Sequence, residues 1–260
     1  MSCANCGSPL TDLYCSRCGQ EAKGPPLTAI PLVGHLLSRA TGMESNALRT
    51  FTALLFKPGR LTAEYVAGRR ARYSGPVQVY LWCTAAFFLV HAFFPVVEVD
   101  FAEERVVSHL SVMIVWADLP EGFVGELAAE GITEELFSER FHAGVSSYFP
   151  VFLVALVAGV ALLFSGLFRK HPFLTHGVFA LHWSAFFFIV EGIPQLFPLP
   201  GWISSLLPLV LLVYLIVAVR IVYGQSWIVG GLKAVLAFVV FVLMLVTWLF
   251  STTLVASLLA

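Results

Sequence analysis

Charge is scarce in this sequence. Only 12% of its 260 residues are charged, while 58% are hydrophobic, and so few charges cannot cover the surface of a water-soluble globular protein of this length. This composition excludes the soluble classes and predicts an integral membrane protein whose main partner is the lipid bilayer. A secretory signal is also missing, because residues 1–20 contain no apolar core. We therefore expect the N-terminus to stay in the cytoplasm.

Sequence motifs of common catalytic centres are lacking as well. The chain contains no H-E-x-x-H, no G-x-S-x-G and no G-x-x-x-x-G-K-[ST]. These motifs are typical of zinc proteases, α/β-hydrolases and P-loop nucleotidases. Their absence predicts a protein that is not an enzyme.

The clearest chemical signal in the sequence is the spacing of its cysteines. Four of its five cysteines lie within residues 1–20 in the pattern C-x2-C-x8-C-x2-C: Cys3, Cys6, Cys15 and Cys18. Each C-x2-C places two thiolates on one metal ion from a single turn, so this segment predicts a small zinc ribbon. An iron site of the rubredoxin type uses the same ligands, and two disulfides are a further alternative. Zinc is favoured because cytoplasmic thiols stay reduced and nothing else in the chain resembles a soluble electron carrier.

The charge of the ribbon region indicates what it binds. Residues 1–24 carry Arg17 and Lys23 against Asp12 and Glu21, a balance of zero. Phosphate binding needs a basic stripe, so nucleic acid is not expected as a partner. A cytosolic protein is the partner that this surface favours.

The region between the ribbon and the first long apolar run is amphipathic. A linker is predicted over 21–26, and residues 27–76 show short helical patterns that break at Lys57-Pro58-Gly59. These pieces are too short and too polar to span a bilayer. They predict helices that lie on the inner membrane surface, and a cytosolic helical cap is the alternative. The end of the region, residues 68–76, is the basic stretch, with three arginines placed among the lipid headgroups: Arg69, Arg70 and Arg72.

Residues 77–260 predict an all-α membrane domain of five transmembrane helices, because each apolar run is close to the ~20 residues that cross a bilayer. The runs are 77–97, 148–168, 173–193, 202–222 and 235–255. Nine of the fifteen Lys and Arg residues precede the first run, whereas the outer loop 98–144 contains two of them and eleven acidic residues. Since cytoplasmic loops are rich in Lys and Arg, we expect a multi-pass protein of the cell inner membrane with its N-terminus inside and its C-terminus outside. A helix is expected in the outer loop over 133–142.

Three segments of the sequence resemble an uncharacterised bacterial membrane family. They are CANCG with YCSRCGQ, then RTFTALLFKPGRLTAEYVAGRRARYSGPVQVYL, then HGVFALHWSAFF. The similarity covers nearly the whole chain, and the family is a domain-of-unknown-function group whose members begin with a four-cysteine ribbon. The resemblance implies this architecture and a bacterial inner membrane. It implies no activity.

Ionisable residues inside predicted spans are candidates for function, because they are costly in lipid. His91, His182 and Glu191 form the candidate polar site within the membrane. They either line a path for protons or a small substrate, or they hydrogen-bond neighbouring helices. The second interpretation is favoured, since the rise of a helix puts His91 and His182 at different depths.

Three functions fit these patterns. The favoured one is a non-enzymatic scaffold or regulatory protein whose cytosolic zinc ribbon docks a protein partner. A small transporter or channel component that uses the in-span histidines is the first alternative, and a membrane redox or metal enzyme is the second. A homo-oligomer is also compatible with the sequence, since the small residues Ala155 and Gly159 allow close helix contact.

Overall fold

The computed structural model describes the predicted ribbon and most of residues 77–260, the predicted membrane domain. The described residues are 2–22, 46–91, 93, 97–100, 105–108, 116–118, 122–197 and 199–259. The predicted linker beyond Ala22 and the predicted amphipathic stretch before residue 46 lie outside these residues, as do parts of the outer loop.

Helices make up most of the described chain. In order they are α1 (Ala47–Phe56), α2 (Arg60–Val66), α3 (Pro76–His91), α4 (Phe123–Ala129), α5 (Glu134–Leu167), α6 (Phe173–Leu196), α7 (Gly201–Ser204), α8 (Leu207–Tyr223) and α9 (Trp227–Leu259). Three short strands precede α4: β1 (Val97–Asp100), β2 (Arg105–Ser108) and β3 (Trp116–Asp118).

Three helical segments are long and apolar enough to cross a membrane. They are Phe173–Leu196, Gly201–Tyr223 and Trp227–Trp248, and they correspond to the last three predicted spans. The first predicted span, 77–97, is helical only as far as His91, the end of the 16-residue α3, and its last residue, Val97, begins β1. The second lies in α5, whose apolar part, Val151–Leu167, belongs with the shorter helices. A bilayer needs about 20 residues. Three spans therefore have the required length and composition, and a total of five remains a prediction.

The predicted outer loop and the residue before it contain a small sheet that the sequence patterns did not predict. β1, β2 and β3 pair in that order as antiparallel neighbours. The alternation of Val with Glu and Asp over Val97–Asp100 is a period-2 signal typical of a strand. The acidic composition of the loop conceals this signal, because a run of charge is more often a solvated surface.

The helix α5 joins two predicted helices into one. The sequence predicts a helix over 133–142 and a separate span over 148–168, and the structure has a single helix of 34 residues. The hydroxyl oxygen of Thr133 accepts a hydrogen bond from the Leu136 N–H at 3.3 Å, which caps the start of the helix. Gly144 does not interrupt it, since one glycine costs only about 1 kcal/mol inside a helix.

The helices α1 and α2 pack across α6 and α8. The predicted break at Lys57-Pro58-Gly59 is confirmed as the turn between them, with Gly59 in the left-handed region at φ 71°. A Cβ on Gly59 would lie 2.8 Å from the Ala218 carbonyl oxygen, so the turn touches the backbone of α8 directly. Leu54 on α1 and Leu61 on α2 are buried in the same core as the bundle helices.

Three helix ends that are predicted to be cytoplasmic lie together. Tyr223 of α8 stacks on Phe168 after α5, with ring centroids 4.1 Å apart, and the Lys233 ammonium of α9 donates to the Leu167 carbonyl at 2.8 Å. Leu167 is the last residue of α5, where backbone carbonyls lack helical partners. Lys233 therefore stabilises this end as a donor and as a cation at the negative end of the helix dipole.

One of the two small residues considered for oligomer contact has a role inside the chain. A Cβ on Gly159 would collide with the Met244 side chain of α9, so this glycine allows α5 and α9 to approach closely. Ala155 lines an apolar groove between the same two helices.

Candidate metal centre

The four cysteines of the ribbon converge on one point. Their Sγ atoms all lie within 4.8 Å of one another, with Cys3 and Cys18 3.6 Å apart and Cys6 and Cys15 3.5 Å apart. All four are free thiols. A tetrahedron of Zn–S bonds of about 2.3 Å has edges of about 3.8 Å, which is close to these separations. The four cysteines can therefore hold one metal ion together.

Two similar turns build this site. The Gly7 N–H donates to the Cys3 carbonyl at 2.8 Å, and the Gly19 N–H donates to the Cys15 carbonyl at the same distance. Both glycines adopt the left-handed conformation, with φ of 75° and 70°, which costs other L-residues about 1–2 kcal/mol. The glycine after each C-x2-C thus allows the backbone to turn back on its own cysteine pair.

Ser8 affects the thiol of Cys6. Hydrogen bonds from the Ser8 side chain and then from its backbone lower the pKa of Cys6 to about 6. A lowered pKa favours the thiolate, which is the form that binds metal ions.

The set of donor atoms restricts which metal fits. Four soft thiolates in a tetrahedral arrangement select zinc or iron rather than calcium or magnesium. With all four positions filled by cysteine, no position is left for a substrate, as in structural zinc sites. Such a centre supplies folding free energy to a segment with few apolar residues, and it is not suited to hydrolysis.

The side chain of Gln20 fixes the ribbon to the basic stretch. Its Nε2 donates to the Gly68 carbonyl at 2.8 Å, and its Oε1 accepts from the backbone N–H of Arg70 at 2.9 Å and of Ala71 at 3.2 Å. The Gln20 carbonyl in turn accepts from the Cys15 N–H at 2.8 Å. The second cysteine turn therefore orients the residue that holds the basic stretch.

The arginines of the basic stretch have different surroundings. The Arg69 guanidinium donates to the Glu64 carboxylate, which lowers the pKa of Glu64 and raises the pKa of Arg69. The Arg70 guanidinium lies 4.7 Å from the centroid of the Tyr65 ring, within the range of a cation–π contact. Arg72 is exposed. Contact of all three with lipid headgroups stays a prediction, and α2 already engages two of them.

The candidate residues within the membrane occupy separate environments. The Nδ1 of His182 on α6 lies 2.9 Å from the Thr62 hydroxyl on α2, and both residues are buried. His91 packs edge-on against Phe87, with ring centroids 4.1 Å apart, and Glu191 is buried on α6. Nine residues separate His182 from Glu191, or about 13 Å along the helix. His182 thus links two helices, as the favoured interpretation expects, and a transport role stays a prediction.

Two residues that the sequence patterns missed make the long-range contacts of this region. Gln20 reaches a carbonyl 48 positions away, and Thr62 reaches a ring nitrogen 120 positions away. Periodicity and motif spacing report only local structure, so neither contact has a signal in the sequence.

Part of the chain matches a known family. Residues 44–88 match the model of a family described as a protein of unknown function (DUF3667). The matched segment contains α1, α2, the basic stretch and most of α3. No curated protein and no solved structure matches the chain.

Proposed function

We propose that this chain is a non-enzymatic integral protein of a bacterial inner membrane whose cytosolic ribbon holds one zinc ion and docks a protein partner. The observation that carries the proposal is the attachment of the ribbon by Gln20. The Gln20 side chain holds the ribbon against the basic stretch that precedes α3, which would give a partner a fixed recognition surface beside the first proposed span. A catalytic motif is missing from the sequence.

The proposed topology has five spans, with the N-terminus inside and the C-terminus outside. The concentration of Lys and Arg before α3 supports it. The contact of Lys233 with the end of α5 supports it as well, because it joins two helix ends that this topology assigns to the same side.

Zinc is proposed for the metal centre because the four sulfurs approach the edge length of a tetrahedral Zn–S site. Metal analysis with a visible absorption spectrum of the detergent-purified protein tests this. We expect one zinc per chain, no visible absorption, and loss of the metal in the C3S/C6S double variant. A visible iron–thiolate band would overturn the assignment.

The exposed part of the ribbon has the character of a protein-binding surface. Leu13 and Tyr14, between the two cysteine pairs, are 68% and 56% exposed. Large aromatic and aliphatic side chains of this kind anchor protein interfaces when a partner covers them. The balanced charge around them favours a protein over nucleic acid.

Photo-cross-linking in cells tests the partner. A benzophenone amino acid at position 14 is expected to capture one protein reproducibly. The matched control carries the same probe at Ala4, whose Cβ lies 3.2 Å from the position of a Cβ on Gly68, so its product should be within the chain. Identical products from both positions, or none from position 14 in a metal-loaded protein, would contradict the proposal.

A further inference from the structure

A cavity beside the turn between α1 and α2 has no role in the ribbon or its attachment. It has a volume of about 450 Å³ and is lined by Lys57, Pro58, Arg60, Ala63, Glu64 and Ile221. We propose that this cavity binds the phosphate headgroup of an anionic phospholipid from the inner leaflet, with Lys57 and Arg60 as the phosphate ligands. The proposal rests on the membrane orientation proposed above and is independent of the ribbon and its partner.

The charges that line the cavity favour an anion. Glu64 is the carboxylate among the lining residues, and it is already paired with Arg69. Arg60 Nη2 lies 3.9 Å from Glu64 Oε1, which is an ion-pair contact that is longer than a hydrogen bond. Because Arg69 compensates Glu64, the positive charges of Lys57 and Arg60 remain available to a ligand.

The turn fixes the backbone positions of Lys57 and Arg60. The Arg60 N–H donates to the Lys57 carbonyl at 3.1 Å, which closes the turn. Gly59 between them rests on α8, where a Cβ would lie 2.9 Å from the Ala218 Cα. Both side chains are exposed at their ends. A phosphate group would therefore meet two side chains that begin at backbone positions fixed by the turn.

An apolar surface continues from the cavity along α8, and it favours a lipid over a soluble anion as the ligand. Ile221 lines the cavity and is 50% exposed, and Val210 on the same helix is also exposed. The two residues are eleven positions apart, so they share one face within about 20° and are separated by about 16 Å. This surface can accept an acyl chain, whereas free phosphate gains nothing from it. Basic pockets beside membrane helices on the cytoplasmic side are known to suit acidic headgroups.

Competition between two lipids tests the proposal. The full-length protein in detergent is mixed with equal amounts of dioleoyl-phosphatidylglycerol and dioleoyl-phosphatidylcholine, and the bound lipid is identified by native mass spectrometry. We expect the wild type to retain one phosphatidylglycerol in preference to phosphatidylcholine. The K57Q/R60Q variant should bind phosphatidylglycerol roughly 10–30-fold more weakly, because each cation near an acidic headgroup contributes about fivefold.

The matched control is R49Q/R72Q, which removes two exposed arginines that do not line the cavity. It should retain phosphatidylglycerol as the wild type does. An equal loss in both double variants would show general attraction to the basic surface and would overturn the site. Displacement of the lipid by excess inorganic phosphate would instead show a soluble-anion site, and it would overturn the lipid assignment.

Zinc content and cross-linking from position 14 are measured on the same K57Q/R60Q protein. Both should be unchanged, because the hydrogen bonds that attach the ribbon through Gln20 end on Gly68, Arg70 and Ala71 and do not involve the substituted residues. Loss of lipid with unchanged zinc content and cross-linking would thus support the lipid site without bearing on the docking function. The two proposals can therefore fail independently.

Discussion

The phenol of Tyr214 in α8 donates a hydrogen bond to the carbonyl of Leu54 in α1 at 2.8 Å. In a continuous helix this carbonyl would accept from the N–H of the residue four positions later. That residue is Pro58, which has no N–H. Tyr214 therefore supplies the donor that the proline at the turn lacks, and it does so within the buried core.

Replacing Tyr214 by phenylalanine should leave the Leu54 carbonyl buried without its donor. We expect a loss of about 1–3 kcal/mol in the free energy of unfolding, seen as a lower thermal midpoint in detergent. The matched control is Y14F, which removes a hydroxyl from an exposed ribbon residue and should leave the midpoint unchanged. A Y214F protein as stable as the wild type would show that water or another group satisfies the carbonyl.

Replacing Gly59 by alanine should destabilise the contact between the α1–α2 turn and α8. The new Cβ meets the Ala218 backbone, and overpacking of this kind costs about 1–3 kcal/mol in addition to the left-handed φ of 71°. Gly131 is the control for the cost of a left-handed backbone alone, because it has φ 76° and open space around it. We expect G131A to lower the unfolding midpoint and G59A to lower it clearly more. Equal effects would mean that the backbone contact with α8 contributes nothing.

Replacing Gln20 by alanine should release the basic stretch without removing the metal. Amide hydrogen exchange across residues 68–71 is expected to accelerate, because the Arg70 and Ala71 N–H groups lose their acceptor. Q20E should be intermediate, since a carboxylate can accept from both N–H groups but cannot donate to the Gly68 carbonyl. Zinc content should be equal in all three proteins. Unchanged exchange in Q20A would argue against the attachment.

Replacing Thr62 by valine keeps the shape of the side chain and removes the hydroxyl that meets His182 Nδ1. The buried ring nitrogen then loses its partner, and we expect the free energy of unfolding to fall by about 1–3 kcal/mol. T62S keeps the hydroxyl and should remain close to the wild type. If T62V and T62S are equally stable, the hydroxyl has no structural role, and a functional role for His182 gains support.

The local features of this fold could be predicted from the sequence. The cysteine spacing predicts the converging sulfurs. Lys57-Pro58-Gly59 predicts the turn, because proline interrupts a helix and glycine permits the left-handed conformation that a turn often needs. The last three apolar runs predict spanning helices by length alone.

The contacts between distant elements could not be predicted in this way. The sequence places α1 and α2 on a membrane surface, yet it does not indicate that Thr62 lies opposite His182 or that Tyr214 reaches Leu54. These pairings depend on how helices pack, and amphipathic periodicity specifies only which face of a helix is buried. The sheet of the predicted outer loop has a different explanation. Its strands are four residues or fewer, so the alternation in Val97–Asp100 is brief and the acidic composition of the loop conceals it.

All three hydrogen bonds of the Gln20 side chain to the basic stretch end on main-chain atoms. Substitutions at positions 69–71 should therefore leave the attachment of the ribbon intact. Gly68, at φ 81°, is the position where another residue would be strained. Selection for this attachment should therefore act on Gln20 and Gly68 rather than on the arginine side chains.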